Sequence, residues 1–317
     1  MKLSPAYHLR TNKAVERLLF LGLLRKLDGS IPVSKYKYVS LGGPYLEDFS
    51  LIHAAFGNRD MVSLEVKEHV RSRQRINQPH SQVVLTLDST TDFVEGYQTG
   101  RKPLIVWFDY EWPDWKSQIS ESCDLLQKLP QMSIFKITLS GKTEWLGGDP
   151  KDPFPERARI VTEMFGDYGN FTANDINEKS VCDTFYKILH AAIAAAVPDT
   201  PKRAVRTLAS YQYNDGTPIL TVTMIIGPIA KIEQIATTLK DWPFADLNWS
   251  KPQRIAIPSL SLREKLAVDR LLPDASAKKV VRELKFQLAE KYTDSVEVIE
   301  NYIQFYAHVP QFLRVTL

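Results

Sequence analysis

Apolar and polar positions alternate with two distinct periods along this chain. Over residues 13–28, KAVERLLFLGLLRKLD, the positions Ala14, Leu18, Leu19, Gly22 and Leu23 keep helical spacing, which predicts an amphipathic helix. A short strand follows at 37–41, ending in Gly42-Gly43. DFSLIHAAFG predicts a helix stopped by Gly57, a residue suited to the left-handed turn that ends helices. Strand signals then recur at 61–65, 81–87, 103–109 and 133–141. Between them lie a basic helix at 67–78, a turn and short helix at 88–97, and a helix at 114–129. PLIVWFD, residues 103–109, is a near-continuous apolar run, the pattern of a central parallel strand buried on both faces.

The rhythm breaks over 142–170, where Gly and Pro are dense and a helix follows; this predicts an insertion or lid at one end of the sheet. VCDTFYKILHAAIAAAV is strongly helical. Over 205–227 two strand-like runs flank Asn214-Asp215-Gly216, a strong local hairpin signal. Five β/α steps therefore end in an antiparallel hairpin. That layout resembles the Rossmann-like sheet of class I methyltransferases, an α/β fold of parallel strands closed by a C-terminal hairpin. A dinucleotide-binding dehydrogenase continues instead with parallel β/α units. Beyond 227 the patterns turn helical, so the expected organisation is an N-terminal helical segment at 1–30, a Rossmann-like domain at 31–227, and a helical or winged-helix-like appendage at 228–317.

Composition adds limits rather than identity. With 317 residues, 44% hydrophobic and 24% charged, the chain is long enough for a large domain with a smaller one. A formal net charge of +3 is too mild to argue for nucleic acid. Two distant cysteines, Cys123 and Cys182, form neither a disulfide framework nor a zinc site, and the six histidines show no ligand spacing, so no metal is expected. The N-terminus lacks an apolar signal core, and LLFLGLL is too short to span a bilayer. A cytoplasmic protein without a membrane partner is the expectation. Arg10, Lys13 and Arg17 read as a solvated helix start, or as a face for an anionic ligand.

Candidate chemistry gathers at the predicted strand ends. The turn GGPYLEDF offers Gly42, Gly43 and Tyr45 ahead of a helix N-terminus, where backbone can approach a ligand, but Pro44 removes a donor. A structural turn explains the two glycines equally well. Glu65 ends the second strand about 20 residues on, where a carboxylate can accept two hydrogen bonds from a ribose diol; a surface Glu opening a helix is the alternative. Asp88 ends the third strand, at an adenine corner or as a turn cap. WFDYEWPDW, 107–115, ends the fourth. There Asp109, Tyr110 and Glu111 can orient an acceptor, and Asp109 and Glu111 can deprotonate its hydroxyl or amine or hold a divalent ion, unless the aromatics simply pack.

HLRTNKAVER, YVSLGGPYLEDFSLIHAAFG, MVSLE, IVWFDYE and the terminal FYAHVPQFLRV together resemble bacterial O-methylases, S-adenosylmethionine (SAM)-dependent methyltransferase-like proteins, over most of the chain. The resemblance implies SAM as cofactor, with Gly42, Glu65 and Asp109 matching positions that hold cofactor or acceptor. Ser40 stands where the wider superfamily has an acid. The resemblance also implies an accessory role in bacterial anti-phage gene clusters, with a possible partner protein, and leaves the acceptor open among small molecule, nucleic acid and protein. Two other classes remain: a catalytically degenerate scaffold that contacts a protein or nucleic acid through the basic helix at 67–75, and a nicotinamide dehydrogenase.

Overall fold

The computed structural model describes residues 10–289 and 291–310. The first two positions of HLRTNKAVER and the end of FYAHVPQFLRV lie outside the described residues. The chain divides into two compact units. The larger comprises Leu21–Gln212 with Gly216–Gln253, and the smaller includes 10–20, 213–215 and 254–310.

Helix α1 (Thr11–Asp28) opens the chain and is followed by β1 (Lys37–Ser40), α2 (Glu47–Phe56), β2 (Met61–Ser63), α3 (Glu68–Asn77), β3 (Val84–Leu85), α4 (Thr90–Gly96), β4 (Leu104–Asp109), α5 (Trp115–Lys128) and β5 (Ile134–Ser140). Then come α6 (Phe154–Phe165), α7 (Val181–Ala196), β6 (Ala204–Asn214), β7 (Pro218–Gly227), α8 (Ile229–Leu239) and β8 (Gln253–Ile255). The sheet order is β3-β2-β1-β4-β5-β7-β6-β8. Strands β1 to β5 pair in parallel, and β7 runs antiparallel to β5. This is a Rossmann-like α/β sheet of parallel strands closed by an antiparallel hairpin, and the fold class expected from the sequence is observed. Gly216 turns between β6 and β7 with φ of 76°.

Each strand distributes its side chains by alternation. Leu104, Val106 and Phe108 of β4 and Phe135, Ile137 and Leu139 of β5 join one apolar core with Trp115, Ile119 and Leu126 of α5 and Phe185, Ile188 and Leu189 of α7. The alternate residues carry a different chemistry. In register across five strands stand Ser63, Ser40, Trp107, Lys136 and Thr223, all almost completely buried. The next row holds Asp109, Thr138 and Thr221. One sheet face is thus polar near the carboxyl ends of its parallel strands.

The smaller unit has its own core. Val268 of α9 (Leu262–Asp269), Val280 and Val281 of α10 (Ala277–Leu284), and Ile299 and Tyr302 of α11 (Tyr292–Phe305) pack together. The Tyr302 hydroxyl donates to Asp269 at 2.6 Å, and burial raises its pKa.

Three sequence expectations change. β3 spans two residues rather than 81–87, and Val84 in this edge strand is exposed. β8 carried no sequence signal, being three residues long. Lys13 and Arg17, expected to be solvated, are buried, together with Glu16. No helix among the described residues is long and apolar enough to cross a membrane.

Candidate functional site at the carboxyl edge of the sheet

The turn after β1 is shaped by its backbone. Gly42 and Gly43 both adopt left-handed φ, 55° and 54°, and Leu46 does so at 51° as it opens α2. A side chain at Gly42 would meet Leu46 Cδ2 at 2.5 Å, Ser63 Oγ at 2.7 Å and Phe49 Cε2 at 2.9 Å. Gly42 is therefore fixed by packing as well as by φ. The Gly43 N–H donates back to the Leu41 carbonyl at 2.5 Å. Helix α3 holds the loop from outside: the side-chain amide of Gln74 donates to the Gly43 carbonyl at 2.8 Å, and that of Asn77 to the Pro44 carbonyl at 2.9 Å. Tyr45 lies under the Arg73 guanidinium, 4.6 Å from ring centroid, and accepts from it at 3.2 Å. The N-terminus of α2 has no side-chain cap.

Glu65 is half-buried just beyond β2. Its Oε1 accepts the Lys67 N–H at 2.8 Å, and the Val66 N–H also favours the carboxylate. Burial raises the Glu65 pKa above its ordinary value; the Lys67 N–H and charge oppose this, and the Glu111 charge adds to it. Glu65 and Glu111 thus lie within electrostatic reach of each other. The Ser63 hydroxyl, one step inside, is buried without a hydrogen-bond partner. Asp88 is exposed beyond β3, and α4 is capped by Ser89 with Asp92 rather than by Asp88.

Asp109 closes β4, half-buried and opposite Thr138. Tyr110 does not join it. The Tyr110 hydroxyl donates to Glu121 of α5, on the apolar-core side, where Thr90 and Thr91 also donate to Glu121 at 3.0 Å each. Burial, then the Glu121 charge, holds the Tyr110 pKa well above the usual phenol value. Of the three residues expected at the acceptor, Asp109 and Glu111 stay at the edge, and Tyr110 anchors β4 to α5.

Sequence reasoning missed Lys136. Its ammonium sits 3.5 Å from the Trp107 ring centroid, and the Trp107 indole N–H donates to Thr138 Oγ1 at 3.0 Å. The signal was present in β5: IFKITLS alternates apolar residues with Lys, Thr and Ser inside a wholly buried strand. No group of three or more His, Cys, Asp or Glu among the described residues can hold a metal. The basic helix is largely engaged: Arg71 and Arg75 pair with Glu68, and Arg73 with Tyr45.

A family described as "Putative O-methyltransferase" matches residues 5–317. The chain belongs to this O-methyltransferase family. No curated protein matches its sequence. Solved structures similar to this family member include the O-methyltransferase from Bacillus cereus in complex with SAH, 13% identical, covering 71% of this chain and 82% of that one, with a TM-score of 0.38. Another is the N-methyltransferase NodS from Bradyrhizobium japonicum WM9 in complex with S-adenosyl-L-homocysteine, 9% identical, covering 68% and 88%, with a TM-score of 0.38. Cofactor-bound Rv0187 from MTB is 7% identical, covering 71% and 82%, with a TM-score of 0.39.

Proposed function

We propose that the protein is a SAM-dependent methyltransferase that transfers a methyl group to an oxygen acceptor. The observation that supports this most is the carboxylate of Glu65, half-buried just beyond β2 at the carboxyl edge of the sheet. That is where a ribose diol lies on a sheet of this topology. The partnerless Ser63 hydroxyl and the uncapped N-terminus of α2 fit the same adenosyl group. In this reading Glu65 would hold the ribose hydroxyls, while Asp109 and Glu111 would orient the acceptor and take its proton. SAM, when bound, supplies an electrophilic methyl group on a sulfonium. The protein's part is alignment and exclusion of water rather than covalent catalysis.

A specific observation favours a second reading. The β1–α2 turn is closed on itself: the Gly43 N–H is used, Pro44 has none, and both carbonyls are capped from α3. A degenerate scaffold, working through a partner protein such as a defence-system component, accommodates that closure. Mass spectrometry of the purified, denatured protein separates the two. Co-purified SAM or S-adenosylhomocysteine (SAH), lost in Glu65→Ala, supports the enzyme. A folded protein that carries no adenosyl ligand and takes up none supports the scaffold.

A further inference from the structure

Trp112 is 72% exposed, an unusual state for so large a ring. Its backbone is nevertheless fixed: the Trp112 carbonyl accepts from the Asp114 N–H at 3.1 Å and from the Gln118 side chain. The ring therefore projects from a pinned turn, immediately after Glu111 and beyond the carboxyl end of β4. A second ring stands beside it in the sheet order. Trp145, 48% exposed, follows β5 and rests on the buried Trp115, centroid to centroid 5.6 Å at 59°. The Lys142 ammonium, also beyond β5, lies 5.9 Å from the Trp112 ring centroid. Beyond the neighbouring carboxyl ends of β4 and β5 thus stand two exposed rings, a cation beside the first of them, and the carboxylates of Asp109 and Glu111.

We infer that the methyl acceptor is a small, flat aromatic molecule bearing a hydroxyl on its ring, held against Trp112. This rests on the methyltransferase reading given above. A planar ring gains by stacking on an indole that the fold leaves open. The Lys142 charge stabilises the oxyanion that forms as the ring hydroxyl ionises. The hydroxyl oxygen takes the methyl group as the sulfonium carbon–sulfur bond breaks, its electron pair staying on sulfur. The hydroxyl proton passes to the carboxylate of Asp109 or Glu111. A nucleic-acid strand fits poorly, because its phosphates would meet the carboxylates of Glu65, Asp88, Asp109 and Glu111 along this same edge.

The test is calorimetric titration of the full chain with 2-naphthol, and with 2-decalol, which has the same hydroxyl on a saturated, non-planar frame, each with and without saturating SAH. The expected result is saturable binding of 2-naphthol but not of 2-decalol. Trp112→Ala should weaken 2-naphthol about tenfold, the magnitude of one lost stacking contact, and Trp112→Phe should retain most of the affinity. Equal binding of both alcohols, or 2-naphthol binding unchanged in Trp112→Ala, overturns the aromatic-acceptor inference while SAH binding leaves the methyltransferase reading standing. Naphthol binding through Trp112 without any SAH binding overturns the methyltransferase reading and with it the acceptor role, leaving Trp112 as an aromatic binding site only.

Discussion

At the scale of single residues, Gly42 concentrates the constraints on the candidate site. It needs a left-handed backbone, and its missing side chain makes room for Leu46, Ser63 and Phe49. Gly57 is as left-handed, at 69°, yet a side chain there would meet nothing within 4 Å. The two therefore separate backbone strain from packing. Gly57→Ala should cost about 1 kcal/mol, the price of a left-handed L-residue. Gly42→Ala should cost about 2–4 kcal/mol, adding the overpacking term. Urea denaturation of both variants checks the ordering; equal losses would mean that the turn relaxes around an added methyl group. The cysteines illustrate the opposite case, residues without a part in the site. Burial pushes the Cys123 thiol up to about 11 and the Cys182 thiol up to about 12, so both are protonated and unreactive at neutral pH.

At the scale of elements, Glu65 beyond β2 feels the charge of Glu111 beyond β4. Burial and the Glu111 charge both disfavour the Glu65 carboxylate, so its pKa stands above the ordinary value. The sign follows: protonated Glu65 suits the fold better, and its contribution to stability is lost as pH rises through the folded-state pKa. A ribose diol needs the carboxylate, so cofactor affinity should fall as pH drops through that same value. Glu111→Gln removes the like charge and should lower the Glu65 pKa, which carboxyl-carbon NMR titration reads directly. An unchanged Glu65 titration would place the two carboxylates out of each other's reach. Much at this scale was legible from sequence. LIVWFD announced a buried central strand, and Asn214-Asp215-Gly216 announced the hairpin that decides the topology. The direction of Tyr110 was not legible. It leaves the strand on the side of α5 because Glu121 of that helix gathers three hydroxyl donors there, two of them from α4. The α1 charges were misread for a related reason: a run of Lys, Glu and Arg looks solvated until burial by residues distant in sequence is known. Lys136 was readable as a charged position in an alternating strand, but its place over Trp107 required the β4–β5 register.

At the scale of the whole molecule, the parallel sheet with an antiparallel β7 places four carboxylates, an open pair of tryptophans and a buried polar row along its carboxyl edge. In the proposed function the cofactor would lie at this edge and donate a diol to Glu65 and a further group to the Ser63 hydroxyl. The closed turn at Gly43 and Pro44 is the feature that opposes this, since the Gly43 N–H is spent on the Leu41 carbonyl and Pro44 has none. Calorimetric titration of the folded protein with SAH weighs the two against each other. One saturable site per chain is expected, weakened at least about tenfold in Glu65→Ala, as follows when a charged hydrogen-bond acceptor is removed. Absence of any binding heat with millimolar SAH, in protein shown to be folded, would contradict it.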